Sequence, residues 1–389
     1  MSLKQYVIEQ FIERFHTPPT FVVRAPGRVN LIGEHTDYND GFVLPMAIEH
    51  AVWIALRPTA NRTLNLAFVD FDQQSSFHLD QFEGGQFAPI EYVKGMARKF
   101  LDGGYALVGW EGVMSGNVPA GAGLSSSAAV EMAIGQAFQA VSGFRVPPHQ
   151  LAQHGQWVEN EWLKLKSGIM DQMISACGVE GHALLIDCRS LETQLAPLPT
   201  NSVVVIMDTG TRRNLVDGKY NERFNQCAEA AHILGVNKLR DASLALLEDH
   251  ASQLDPLIYR RARHVISENE RTLQACEAMR HDDATQLGQL MNASHASLRD
   301  DFEVSGEALN KMVEIAQAQA ECFGARMTGG GFAGCTVALV DRKHANAFAE
   351  RVLHTYRETY FNDRPSMPND ATPQLYVCTP SQGAQILTD

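Results

Sequence analysis

The chain reads as an α+β protein built from two units, and three observations carry that reading. Its 389 residues are 45% apolar, which is too long for one ordinary core and suits two. Short β-rich runs and helical patterns are mixed without a steady βαβ rhythm, which disfavours a single parallel sheet. The second half opens on a strand-like run and then carries four long amphipathic patterns, a different texture from the first half. No Pro/Gly/Ser linker separates the halves, so the units are placed only roughly, at 1–200 and 201–389. Charged residues are 20% and no low-complexity run occurs, so the whole chain is expected to be globular.

In order along the chain, Leu3, Val7, Ile8, Phe11, Ile12 and Phe15 fall at helical spacing and predict an opening helix over 3–15. Thr20–Arg24, Ala51–Leu56 and Thr63–Val69 read as strands. A helix over 91–102 is closed by Gly103-Gly104. Gly112–Ser115 fits a buried strand end, followed by a small-residue loop and a helix from Ser125 to about Val141. Helical patterns follow at 148–162 and 169–177, and His182–Asp187 is a strand with an acidic end. In the second half Val203–Met207 and Cys335–Val340 read as strands, and 219–233, 257–279, 283–298 and 305–320 as helices. A helix over 343–356 and a strand near 374–378 complete the set.

Composition excludes several classes. The net charge is -13, and a duplex-binding surface needs a basic excess. Nucleic acid is therefore not an expected partner, and an anionic ligand must be held by local groups. The seven cysteines show no CxxC spacing, so neither a disulfide framework nor a zinc site is suggested. The N-terminus has no signal-peptide core, and no run of 18 apolar residues could span a membrane. A soluble cytoplasmic protein is expected, as a monomer or at most a weak homodimer.

Three segments carry chemistry. In Arg24-Ala-Pro-Gly-Arg-Val-Asn-Leu-Ile-Gly-Glu-His-Thr-Asp-Tyr-Asn-Asp40, the apolar Val29, Leu31 and Ile32 run among Arg28, Asn30, Glu34, His35, Asp37, Asn39 and Asp40. Carboxylates accept two hydroxyl hydrogen bonds at once, so such a cluster suits a polyhydroxylated ligand. An ordinary structured loop explains it equally well, and a metal site from Glu34, His35 and Asp37 matches no familiar spacing. In Pro119-Ala-Gly-Ala-Gly-Leu-Ser-Ser-Ser-Ala-Ala129 the small residues let backbone N–H groups converge on an anion at a helix start. It lacks the Gly-Lys-Ser/Thr of a Walker loop, and a plain serine-capped turn is the competing reading. In Gly324-Ala-Arg-Met-Thr-Gly-Gly-Gly-Phe-Ala-Gly334 three consecutive glycines suggest a loop laid against a ligand or the other unit, more than a tight hairpin requires.

Taken together and in this order, the three segments resemble the galactokinases of the superfamily of galacto-, homoserine, mevalonate and phosphomevalonate (GHMP) kinases. Gly27–Tyr38 is similar to the galactokinase signature, Gly121–Ser127 to the superfamily's phosphate loop, and Thr328–Gly334 to its third motif. Gly168–Gln172, Tyr220–Arg223 and Ser294–Asp300 extend the likeness across the chain. The resemblance implies an N-terminal unit like ribosomal protein S5 domain 2, a ferredoxin-like C-terminal unit, and an active site in the cleft between them. It implies ATP-dependent phosphorylation of the C1 hydroxyl of galactose, which opens galactose use by the Leloir pathway. Asp171 would be the base. Arg28 would keep it ionised and stabilise charge on the transferred group. Glu34, His35, Thr36, Asp37, Gly168 and Tyr220 would grip the sugar. Gly121, Ala122, Gly123, Leu124, Ser125, Ser126 and Ser127 would wrap the phosphates of ATP, and Ser127 and Glu159 would hold Mg²⁺. A kinase for another sugar, such as N-acetylgalactosamine or arabinose, and a non-catalytic galactose/ATP sensor are the rival readings.

The sequence departs from relatives at a few places. They usually carry glycine where Lys164 stands and cysteine where Ser167 stands. Lys164 and Lys166 are either solvated or reach a phosphate or alter sugar preference. Ala333 replaces a usual glycine and is tolerable if its φ is negative. The run Met207-Asp-Thr-Gly210 also differs, without an account at this level.

Overall fold

The computed structural model describes residues 1–85, 88–119, 121–212, 216–364 and 370–387. The first unit is a six-stranded mixed sheet, in the order β13 (Gln385–Leu387), β1 (Phe21–Asn30), β3 (Pro45–Pro58), β6 (Trp110–Gly116), β4 (Thr63–Phe68) and β5 (Gln73–His78), covered by helices. Helix α1 (Leu3–Phe15) starts where the Ser2 side chain accepts from the Gln5 N–H and ends at His16 in the left-handed region. It buries Val7 and Phe11 on the outer face of the sheet, against Val22, Ala55 and Val113. Strands β1 (Phe21–Asn30), β2 (Phe42–Val43), β3 (Pro45–Pro58), β4 (Thr63–Phe68) and β5 (Gln73–His78) follow, then α2 (Pro89–Asp102) and β6 (Trp110–Gly116). All pairings are antiparallel except β4 with β6. The inner face carries α3 (Ser126–Ser142), α4 (Pro148–Trp157) and α5 (Met170–Cys177). Met96, Phe100, Trp110, Phe138 and Leu151 belong to the core under them. β7 (His182–Asp187) and β8 (Thr193–Pro197) form a small sheet with β2.

The second unit begins at β9 (Ser202–Asp208). Helices α6 (Val216–Ile233), α7 (Leu244–Asp249), α8 (Pro256–Arg280), α9 (Ala284–Asp300) and α10 (Glu307–Gln317) intervene before β10 (Cys322–Met327), β11 (Cys335–Asp341), α11 (Ala345–Tyr356) and β12 (Gln374–Cys378). The sheet order β10-β11-β9-β12, antiparallel throughout, is the ferredoxin-like arrangement. A last strand, β13 (Gln385–Leu387), leaves this unit and pairs with Val22–Arg24 of β1. The change of sheet thus lies between β8 and β9, with one late return to the first sheet. No helix of the described residues is long and apolar enough to cross a membrane.

Two differences from the sequence reading matter for the site. The strand read as Thr20–Arg24 continues to Asn30, through a register shift between Pro26 and Arg28. A bulge accommodates a proline that cannot donate to the ladder, and it delivers Arg28 from the rigid sheet. The helix read over 148–162 becomes a π-turn over Val158–Trp162, a wide turn that re-aims side chains, among them Glu159.

Candidate active site

The floor of the site is β1. A Cβ on Gly27 would lie 2.7 Å from the Leu124 carbonyl oxygen and 2.9 Å from Val118, so only glycine lets the small-residue loop lie on the strand. The Arg28 N–H donates to the Leu124 carbonyl at 3.1 Å. The Arg28 side chain, 5% exposed, forks onto Asp171 at the start of α5. Its Nε donates to Asp171 Oδ1 and its Nη2 to Oδ2, both at 2.9 Å, the strong bidentate geometry. Its Nη1 donates to the Gly123 carbonyl, and Ser125 Oγ donates to Asp171 Oδ2.

That last bond has a consequence for α3. Ser125 is the N-cap of the helix but sits at φ 59°, and no side chain caps the first turn. The early N–H groups of a 17-residue helix therefore point out of its start with their dipole uncompensated. With Gly121 and Gly123 in the left-handed region before it, the loop forms an anion cradle. Ala120 lies outside the described residues.

Arg28, Asp171, Glu34, His35, Asp37, Gly168, Tyr220, Glu159, Gly121, Gly123, Leu124, Ser125, Ser126 and Ser127 all line one cavity of about 890 Å³. Two of the expected residues do not face it. Thr36 is fully buried, with its hydroxyl 2.9 Å from the Gly33 carbonyl and 2.7 Å from the Phe42 carbonyl, one of which takes its proton. Ala122 is fully buried beneath Gly334, whose Cβ would meet the Ala122 carbonyl at 2.7 Å.

The sugar-signature side of the cavity is tightly built. A Cβ on Gly168 would lie 1.7 Å from Asp37 Oδ2, so the Asp37 carboxylate occupies the place of the missing side chain. Burial, and then the charge of Asp171, push Asp37 up to about 6. The His35 ring lies 5.7 Å from Tyr220 and 4.8 Å from Phe302, and its Nδ1 is 3.0 Å from the Tyr38 hydroxyl. Glu34 is 2% exposed. Burial raises its pKa, opposed by Arg326 and the Gly329 N–H.

Glu159 is 7% exposed. Burial raises its pKa, while hydrogen bonds from Ser167, Ser127 and Gln172 favour its charge. A hydroxyl and a carboxylate side by side are hard oxygen donors, which suits a magnesium ion completed by phosphate oxygens and water. Among the described residues no group of three or more His, Cys, Asp or Glu could hold a metal, so nucleotide oxygens would have to supply the remaining ligands.

Two features escaped the sequence reading. Arg212, just past β9, lines the same cavity, with its Cδ 3.4 Å from a Cβ built on Gly121. Asp208 holds it by two 2.8 Å bonds and also accepts from the Gly210 N–H at 2.9 Å. The run Met207–Gly210 is therefore the mount of an arginine beneath the 121–127 loop. A second cavity, about 790 Å³, shares Pro119, Ser126, Ser127 and Arg212 with the first. Phe68, Phe71, Tyr92, Met114, Val130 and Tyr376 give it an apolar lining.

The departures from relatives also find places. Lys164 has φ 59° and a 74% exposed side chain 3.6 Å from Glu161, which explains physically why glycine suits the position. Lys166 lines the cavity with its Nζ 5.4 Å from the Phe224 ring centre. The Ser167 N–H and hydroxyl both donate to Asn160 Oδ1, at 2.9 and 3.2 Å. Ala333 is absent from the positive-φ positions of the described backbone, so its methyl is accommodated.

The chain as a whole is similar to known proteins. The galactokinase galactose-binding signature matches residues 9–58, the GHMP kinases N terminal domain residues 91–179, and GHMP kinases C terminal residues 275–358. The crystal structure of Lactococcus lactis galactokinase complexed with galactose is 34% identical, with a TM-score of 0.91 over 99% of this chain and 100% of that one. Methanococcus jannaschii mevalonate kinase is 18% identical, with a TM-score of 0.66 over 93% and 98% of the two chains. A D-glycero-D-manno-heptose 1-phosphate kinase from Bacteriodes thetaiotaomicron is 16% identical, with a TM-score of 0.61 over 95% and 99%. The last two likenesses concern the fold alone.

Proposed function

The chain belongs to the galactokinases of the GHMP kinase superfamily, and from that premise we propose that it transfers the γ-phosphoryl group of ATP to the C1 hydroxyl of α-D-galactose, giving galactose 1-phosphate and ADP. The observation that carries this reading is the Arg28 fork on Asp171, set at the uncapped start of α3 and facing the same cavity as Asp37.

Phosphoryl transfer passes through a loose transition state, so the protein mainly positions the reactants and stabilises charge. Asp171 accepts the proton of the C1 hydroxyl as that oxygen bonds to the γ-phosphorus and the bond to the ADP oxygen breaks. Arg28 lies against both Asp171 and the Gly123 carbonyl, where its charge serves the base and the transferred group. Asp37, His35, Glu34 and Tyr220 orient the sugar. Gly168 gives Asp37 its room, and the N–H groups of 121–127 receive the phosphates. Arg212 meets the phosphate chain between the two cavities, and the apolar cavity takes the adenine ring. Ser127 and Glu159 would hold Mg²⁺. When bound, it offsets charge on the β- and γ-phosphates. The seven free cysteines suit a reducing cytoplasm.

The test is coupled ATP turnover over a panel of sugars, wild type against Asp171→Asn. Turnover confined to galactose, with kcat lowered about 10²–10⁴-fold in the variant and both ligands still bound, is expected. An Asp171→Asn enzyme that keeps its kcat would refute the assignment of the base.

A further inference from the structure

Arg326 on β10 is fully buried, and its guanidinium is spent on the signature segment of the other unit. Nη2 lies 2.6 Å from Glu34 Oε2, and Nη1 donates to the Asn30 and Leu31 carbonyls at 3.3 and 3.2 Å. Nε donates to Ser294 Oγ at 3.2 Å. A planar fork with fixed donor directions holds such a set in one orientation, which a lysine ammonium does not. Glu268 stands 3.9 Å away and is itself paired with Arg271 at 2.8 Å.

Glu34 is held from both sides. Its Oε2 also accepts from Asn30 Nδ2 at 2.7 Å. Its Oε1 accepts from the Gly329 N–H at 2.8 Å and faces Thr328 Oγ1 at 3.2 Å. A carboxylate has about four acceptor positions, so the Thr328 hydroxyl decides whether one is left. That hydroxyl has a single proton and a second acceptor, the Asn30 carbonyl, at the shorter 2.9 Å, while it accepts from the Asn30 N–H at 3.2 Å. With the proton on the Asn30 carbonyl, one position on Glu34 Oε1 is open toward the cavity that Glu34 lines.

We propose that Arg326 and Thr328 are positioning residues for the sugar, fixing Glu34 with one acceptor position open to a sugar hydroxyl. The segment 326–328 then works on the sugar side of the cleft, while Gly329 donates to Glu34 and packs its Cα face on the Gly123 carbonyl of the phosphate loop. Neither residue touches the reacting atoms. Both act through Glu34, Arg326 directly and Thr328 by tying the N–H and the carbonyl of Asn30, whose Nδ2 donates to Glu34 Oε2, and the inference rests on galactose being the substrate.

The experiment compares wild type, Thr328→Val, Thr328→Ser and Arg326→Lys. It measures kcat, the KM for galactose and for ATP, and calorimetric binding of galactose without nucleotide. Thr328→Val is expected to raise KM for galactose about tenfold, with KM for ATP within twofold and kcat within threefold. Thr328→Ser restores it, and Arg326→Lys raises it further, with the same losses in direct binding. If Arg326→Lys does not fold, the Thr328 pair decides alone. Unchanged galactose KM and binding in Thr328→Val, or a parallel loss in both KM values and kcat, would overturn the proposal. A wild type inactive on galactose overturns this and the substrate reading together, whereas an active wild type with unchanged variants overturns this one alone.

Discussion

Gly168→Ala perturbs the proposed sugar site by a single methyl group. The backbone at Gly168 is not among the positive-φ glycines, so alanine is not strained there by its own conformation. The whole cost falls on Asp37, whose Oδ2, Cγ and Cβ would lie 1.7, 2.3 and 3.0 Å from the new carbon. Ordinary contact begins near 3.4 Å, so the carboxylate must withdraw by roughly 1.7 Å, or the 163–168 loop must. Asp37 cannot follow freely, because it starts a short turn whose next residues, Tyr38 and Asn39, are buried. A misplacement of about 1 Å costs on the order of 10²-fold, or about 2.7 kcal/mol at 1.36 kcal/mol per tenfold. The expected result in a coupled turnover assay is kcat/KM for galactose lowered about 100-fold, carried mainly by KM, with KM for ATP little changed. The double variant Gly168→Ala/Asp37→Ala should be no worse than Asp37→Ala alone, because the methyl acts only through the carboxylate. A single variant within threefold of wild type would refute the claim that Asp37 fills the Gly168 space, as would full additivity in the double.

Three further outcomes follow from the same geometry. With Asp37 near 6 against an ordinary 3.8, the folded protein holds a proton that the unfolded chain releases. That stabilisation is complete below 3.8 and lost as pH rises through 6. Asp37→Asn should therefore raise Tm at pH 8, raise it roughly half as much at pH 5 and change it little below 3.8, while wild-type KM for galactose climbs as pH falls through 6; melting curves and a KM profile check both. Lys164→Gly removes a left-handed non-glycine, worth about 1–2 kcal/mol, against about 0.5–1 kcal/mol of added chain entropy, so denaturant unfolding should show a modest gain. KM for ATP should stay within twofold, since the lysine side chain is mostly in solvent. Arg212→Met should raise KM for ATP about tenfold and leave KM for galactose unchanged, measured in the same coupled assay.

Much of this was legible in the chain because it is local. The helix after the serines, the strand ending at Asp187 and the strand over 374–378 follow from periodicity within one segment. The three glycine-bearing motifs were visible because positive φ and close approach demand particular residue types. What the sequence could not show was pairing at long range. β5 and β8 carry mixed polar faces on exposed edges, so no alternation marks them. Strand β10 runs through Gly324, where Gly288 of α9 packs so closely that a Cβ would meet its carbonyl at 2.1 Å, a constraint set by a helix. Arg212 follows a run with no motif, and its role depends on Asp208 holding it beneath a loop from the other unit. The signal that was available, an acidic residue and an arginine four apart at a strand end, is too common to read alone.

The return of β13 to β1 bears on how the protein is made. Val22, Val23 and Arg24 sit near the start of the chain, yet their outer partners are Leu387, Ile386 and Gln385. A ribosome that has finished the first unit must still synthesise the whole second unit before that edge of the sheet is covered, roughly 10–40 s at ordinary elongation rates. During that interval the nascent first sheet presents an unpaired strand edge, the kind of surface that chaperones cover and that templates mispairing. Fragments ending near residue 200 should therefore be aggregation-prone, and a tag fused directly after β13 should slow maturation more than one placed before α1.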